Sequence, residues 1–363
     1  MEIQTSPSSS MSDEQRHLIG RTIWDWNDCG NYKGDHSHRT HCSSRICATD
    51  LLEKLASFFG FYQSEVAVYG LEKSRNAHAA LSTHKELCEL IKTIKANPSL
   101  VKTELGKQAF PDKDDGAVTP FDEQERAINL AANLITMTSC MGSNKDILRL
   151  EQGLIQLPWK PRNRWQHKTC LISQEAEKYC SSRVSSYRRP FSHLTLDKND
   201  RVVYVFHHCG FLKENLRVSM DQGSELPAEE YLKRGCIPRQ LALEALDTIQ
   251  GILFPLADAQ SKDLISSLVS TSYWDTECEQ IPSSSYLTSS EADLNIKYHY
   301  FGTRLKDLYD EVSDPRPKTY MGKWLDRKKS ARHVMMATLT GVVIAIVLGM
   351  LTLGVSGYQA WLG

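Results

Sequence analysis

Three cysteines and three histidines fall within residues 29–47, CGNYKGDHSHRTHCSSRIC. Thiolates and imidazoles are the ligands that zinc prefers, held tetrahedrally. Cys29, His36, His38, His41, Cys42 and Cys47 are therefore the first candidates for chemistry. Structural zinc sites commonly join a closely spaced cysteine pair to a second Cys or His pair at a distance. Cys42 and Cys47 form one pair, Cys-x4-Cys, but no second pair follows at the usual distance. All ligands would come from one short segment, and its Gly30, Asn31, Lys33, Gly34 and Asp35 are loop formers. A mini-loop wrapped around zinc is one reading, and thiols on a polar linker is the simpler one. No cofactor is expected otherwise.

A second candidate is His207-His208-Cys209, an imidazole beside a thiol after a predicted strand. Alternation along a strand puts His207 and Cys209 on one face and His208 on the other, so one of those faces is read as core. The chain has no Gly-x-Ser-x-Gly elbow, no phosphate-binding glycine loop ending in Lys-Ser/Thr, and no His-Glu-x-x-His pair. Lys213, Arg217, Lys233, Arg234 and Arg239 are read as a solvated basic face. The net charge is -1, so no overall field points to nucleic acid, and none is expected as a partner. These absences favour a non-enzymatic protein.

The elements that must position these residues are mostly helical. Leu51, Leu52, Leu55, Phe58 and Phe59 share one helical face over residues 50–59, with Thr49 as N-cap and Gly60 as stop. Leu87, Leu90, Ile91 and Ile94 do the same over 84–96, ended by Asn97-Pro98. Thr119-Pro120 opens a helix reaching about Thr138, with the proline at its first position. Leu243, Leu246, Ile249 and Leu253 mark a helix over 239–254, and 263–270 and 292–312 continue the pattern. The run HLTLDKNDRVVYVFHH predicts a β-hairpin at 193–208, and Val66–Tyr69 a second short strand. Residues 107–118 and the Ser-rich 279–290 read as loops.

The ten cysteines do not imply disulfides in this context. The N-terminal stretch is polar and Ser-rich, without the apolar core of a signal peptide. The one Asn-x-Ser/Thr triplet, Asn97-Pro98-Ser99, is disabled by its proline. The cysteines are read as reduced, mostly buried thiols on the cytosolic side.

The strongest signal is VMMATLTGVVIAIVLGMLTLGV, Val334 to Val355, 22 residues without a charge. As a helix it measures about 33 Å, enough for a hydrocarbon core of about 30 Å. Lys323, Arg327, Lys328, Lys329 and Arg332 precede it and are expected to contact anionic headgroups. The same basic flank places the N-terminal bulk in the cytosol, as a tail-anchored protein with membrane lipid as its first partner. Ala337, Gly341, Ala345 and Gly349 recur every fourth residue, a small-xxx-small face suited to homodimerisation within the membrane.

Several stretches in order carry a resemblance. They are AANLITMTSC at 131–140, FHHCGFLKENLR at 206–217, PRQLALEALDTIQGILFPL at 238–256, YHYFGTRLKDLYDEV at 298–312 and the anchor region at 324–361. Together they resemble a group of filamentous-fungal membrane-anchored proteins of unknown function, over about residues 125–361. The resemblance implies a fungal source and a single-pass C-terminal anchor, and it implies no reaction.

The expected fold class is mainly α: a helical cytosolic domain with a small β-hairpin, followed by one C-terminal transmembrane helix. The expected organisation is a polar Cys/His-containing segment 1–48, a helical region 49–106, a loop 107–118 and a helical domain 119–322. A basic juxtamembrane segment 323–333, the transmembrane helix 334–355 and a tail 356–363 complete it. The expected role is a tail-anchored protein presenting an interaction domain to a protein partner. The alternative is a membrane-anchored enzyme with a metal site near residues 29–47.

Overall fold

The computed structural model of the chain describes residues 11–26, 48–73, 80–111, 119–137, 184–187, 193–197, 202–220, 226–271, 274–280, 296, 298–313 and 332–362. They divide into two compact units, Met1–Leu308 and Tyr309–Gly363. The helices are α1 (Asp13–Trp24), α2 (Ala48–Lys54), α3 (Ala56–Lys73), α4 (His84–Ala96), α5 (Lys102–Ala109) and α6 (Phe121–Thr136). After the sheet follow α7 (Cys209–Val218), α8 (Ala228–Lys233), α9 (Arg239–Asp247), α10 (Ala259–Thr271), α11 (Gly302–Ser313) and α12 (Arg332–Leu362).

The predicted hairpin is present, with β2 (Thr195–Asp197) antiparallel to β3 (Val202–Phe206) and Leu196 opposite Val203. A further strand, β1 (Val184–Tyr187), lies parallel on the other side of β3 and makes the order β1-β3-β2. No periodicity in the sequence had marked it. Val66–Tyr69 is not a strand: it lies inside α3. A β-branched pair reads locally as strand, but the helix is set by what its flanks bury.

The first predicted helix also differs in detail. The chain breaks at Leu55 and then continues as α3 straight through Gly60 to Lys73. Gly60 is not a stop, and Thr49 lies within α2 rather than capping it. An interior glycine costs a helix only about 1 kcal/mol, which the burial of Phe58, Phe59, Phe61 and Tyr62 outweighs. Helix α4 matches its predicted bounds, closed by a Thr83–Glu86 capping box at one end and Asn97 at the other. Pro120 is the N-cap of α6 rather than its first helical residue.

The core of the Met1–Leu308 unit is aromatic where α1, α3 and α7 meet. Phe58 stacks on Phe211 at 5.8 Å, and Trp24 meets both rings edge-on. Lys95, buried on α4, caps the end of α1. Its Nζ donates to the carbonyls of Thr22 and Ile23 and to Asp25 Oδ1 at 2.8–3.1 Å. Gly235 has φ +69°, and a Cβ there would sit 1.9 Å from the Ile23 carbonyl oxygen, so only glycine fits.

In the second unit, α12 runs 31 residues. Its stretch Thr338–Gln359 is long and apolar enough to cross a membrane, and its side chains are exposed.

Candidate functional site

The chemistry-bearing side chains of the first unit converge where β3 hands over to α7. The strand ends at Phe206, His207 and His208 turn the chain, and Cys209 opens α7. All three are buried, which corrects the expectation that alternation would leave one face as core and the other outside. Strand geometry ends one residue before the run begins.

Helix α7 has no side-chain cap of its own. Asp275 supplies one from a distant segment: the Gly210 N–H donates to its Oδ2 at 2.8 Å. The other oxygen, Oδ1, accepts the Glu277 N–H at 3.0 Å and so caps the 3-10 turn Thr276–Cys278. One carboxylate thus starts two helical turns. Burial pushes it up to about 6 from the ordinary aspartate value, against the pull of the two N–H donors. Gly210 is required here, because a Cβ would lie 2.1 Å from the carbonyl oxygen of Lys54.

One turn along α7, Lys213 is buried rather than solvated. Its Nζ donates to Glu277 Oε2 and to the carbonyls of Glu277 and Gln280, each at 2.8 Å. Gln250 reaches the same loop from a π-helical segment, Thr248–Leu253, donating to the Cys278 and Gln280 carbonyls at 2.9 and 2.8 Å. The π register widens the turn that carries Gln250. Arg239 is buried too, donating to the Leu216 carbonyl at 2.7 Å. Two of the five cations read as a solvated face are therefore internal, each donating to backbone oxygens in the core.

The rings and thiols fill the remaining space. His207 stacks on His208 at 4.3 Å and on Trp274 at 5.6 Å. Ser57 Oγ lies 2.7 Å from His208 Nδ1, a hydroxyl paired with an imidazole. The Cys278 sulfur lies 3.1 Å from Cys209 Sγ and 3.0 Å from the His207 carbonyl oxygen. Burial and the neighbouring Cys209 push the Cys278 thiol well up, so it stays protonated.

A second buried cluster lies on α9. Glu244 accepts the N–H groups of His299, Tyr300 and Phe301 at 2.6, 2.8 and 3.0 Å, just ahead of α11. The Tyr298 hydroxyl donates to Asp247. His193 Nδ1 accepts the Phe206 N–H at 3.1 Å, so its Nε2 carries the proton and donates to Thr248 Oγ1 at 2.6 Å. Burial lowers that imidazole to about 3, so it is neutral at physiological pH. Its role is to tie the sheet to the π-helical segment.

The predicted metal ligands Cys29, His36, His38, His41, Cys42 and Cys47 lie outside the described residues, as do Lys323, Arg327, Lys328 and Lys329. Arg332 is the first residue of α12. Among the described residues no three His, Cys, Asp or Glu side chains gather in a metal-binding group. Gly341, Ala345 and Gly349 lie along α12, and a Cβ at either glycine would meet nothing within 4 Å. Ala337 lies on the same helix. Asp275, Gln250, Glu244 and His193 were missed by sequence reasoning. Asp275, Glu244 and His193 act across 65, 55 and 55 residues and Gln250 across 28 and 30, and the sole local hint was a polar residue inside an apolar run.

No family model matches the chain, and neither does a curated protein or a solved structure.

Proposed function

We propose that the chain is a single-pass membrane protein whose C-terminal helix tethers a helical interaction module at the cytosolic face. The observation that carries this reading is α12, with Thr338–Gln359 long, apolar and exposed. A helix with that surface is stable in hydrocarbon and a liability in water. The basic residues from Lys323 to Arg332 support the orientation, because Lys and Arg concentrate on the cytosolic flank of a span.

A module rather than a catalyst is supported by how the first unit uses its reactive groups. Asp275, Lys213, Glu244 and Arg239 each satisfy backbone groups inside the fold. Such groups position structure, while a catalytic centre leaves charge facing a substrate. The partners in this reading are membrane lipid, a second copy through Gly341, Ala345 and Gly349, and a cytosolic protein.

Carbonate extraction of membranes carrying the full chain tests the anchor, and protease added outside sealed organelles tests the side. The protein should stay with the membrane pellet, and the N-terminal unit should be digested. Release by carbonate would remove the anchor, and protection from protease would reverse the orientation. Zinc analysis of the same preparation addresses residues 29–47: stoichiometric metal lost on Cys42→Ser and Cys47→Ser would favour the enzyme reading.

A further inference from the structure

Cys209 and Cys278 stand 69 residues apart in sequence, yet their sulfurs lie 3.1 Å apart. That is inside ordinary sulfur–sulfur contact, and closing roughly 1 Å more would reach the length of a disulfide bond. Both are free thiols and both are fully buried. Two further free thiols among the described residues, Cys88 and Cys236, are also buried. Burial alone therefore does not single out this pair; mutual contact does.

The surroundings hold the two sulfurs in place from both sides. Cys209 is the first residue of α7, and Asp275 binds the Gly210 N–H directly after it. Cys278 ends the 3-10 turn that the same Asp275 begins. Lys213 and Gln250 fasten the carbonyls of residues 277, 278 and 280. The backbone on each side is thus fixed by groups other than the thiols, so little has to move when a bond forms.

We propose that Cys209 and Cys278 are a reversible disulfide site, which fastens residues 274–280 covalently to the start of α7. The oxidant class is a low-molecular-weight disulfide such as glutathione disulfide. One cysteine thiolate attacks a sulfur of that disulfide, forming a mixed disulfide and releasing one glutathione thiolate. The second cysteine thiolate attacks the protein sulfur of the mixed disulfide and releases the other. The protein gives up two protons and two electrons, and two glutathione thiols are formed. Because both sulfurs are buried, the first exchange proceeds while residues 274–280 are lifted from α7, and the second follows as the segment settles back and sets the two sulfurs in contact. In a reducing cytosol the pair rests as thiols, and an oxidising shift locks the segment.

The test uses the full-length chain in its membranes, incubated with a large excess of glutathione disulfide over glutathione. After acid quenching the chain is unfolded, alkylated with iodoacetamide and digested. The expected product is a peptide pair joined through Cys209 and Cys278, lighter by two hydrogens than the two thiols and released by dithiothreitol. Cys88 and Cys236 should be recovered alkylated. Full alkylation of Cys209 and Cys278, a glutathione on each, or linkage of either to another of the ten cysteines would overturn the proposal. The same treatment in concentrated urea should give scrambled links. Equal selectivity there would show that the fold does not make the pair. The wild-type measurement needs no variant to fold, and Cys278→Ser adds a check: its Cys209 should no longer appear in any linked peptide.

Discussion

Glu244 is buried on α9, and its two oxygens accept three backbone N–H groups from residues 299–301. Those bonds favour the ionised form, but desolvation is the larger effect, and the carboxyl is pushed up to about 6 from 4.5. The folded state therefore binds this proton more tightly than the unfolded state. Its contribution is fully present below about pH 4.5 and is lost as pH rises through about 6. Asp275 shifts in the same direction, so the wild-type curve alone would mix the two. Comparison with Glu244→Gln separates them, because that variant keeps Asp275 and cannot titrate at 244. Between pH 4 and pH 7 the stability of wild type relative to Glu244→Gln should fall by about 2 kcal/mol. Urea unfolding of wild type and Glu244→Gln, each ended after Ser330, measures it across that range, and a difference that stays flat or grows with pH would contradict it.

At the scale of elements, the two ends of the chain obey different rules. The helical run at 239–254 was legible from Leu243, Leu246, Ile249 and Leu253 at helical spacing, and all four are buried. What spacing did not announce was the change from α to π register at Thr248, where His193 and Gln250 are engaged across the fold. For helix α12 the question is different, because lipid provides no hydrophobic drive for pairing helices. Close backbone contact must supply any association. Gly341 and Gly349 lie on one face and Val343 is about 200° around from Gly341. In an in-membrane association assay of residues 330–363, Gly341→Ile or Gly349→Ile should lower the dimer signal, while Val343→Ile should not. Equal signal from wild type and Gly341→Ile would make α12 a monomeric anchor.

For the whole molecule, the chain divides into two compact units, Met1–Leu308 and Tyr309–Gly363, and the second holds the stretch Thr338–Gln359 that is long and apolar enough to cross a membrane. The first unit has an internal aromatic core and two ion pairs with buried members, Lys213–Glu277 and Arg217–Glu214. The second is dominated by α12. Ending the chain after Ser330 removes α12 and should give a soluble protein, whose circular dichroism is dominated by helix. A protein that stays with membranes, or a spectrum dominated by strand, would show that the first unit does not stand alone.

The sequence alone determined the apolar helix near the C-terminus, the α4 and α9 faces and the β2–β3 hairpin. Each is written in a local pattern of period or run length, and each buries or exposes itself by that pattern. It could not show that α3 passes through Gly60, because a helix breaker is overruled by the aromatic surface around it. It could not place β1, whose reason to be a strand is β3 lying beside it. Nor could it join Cys209 to Cys278, or Asp275 to the start of α7, since those pairs meet only after the chain between them has folded. Buried polar groups need partners wherever the fold brings them, and that need has no period along the chain.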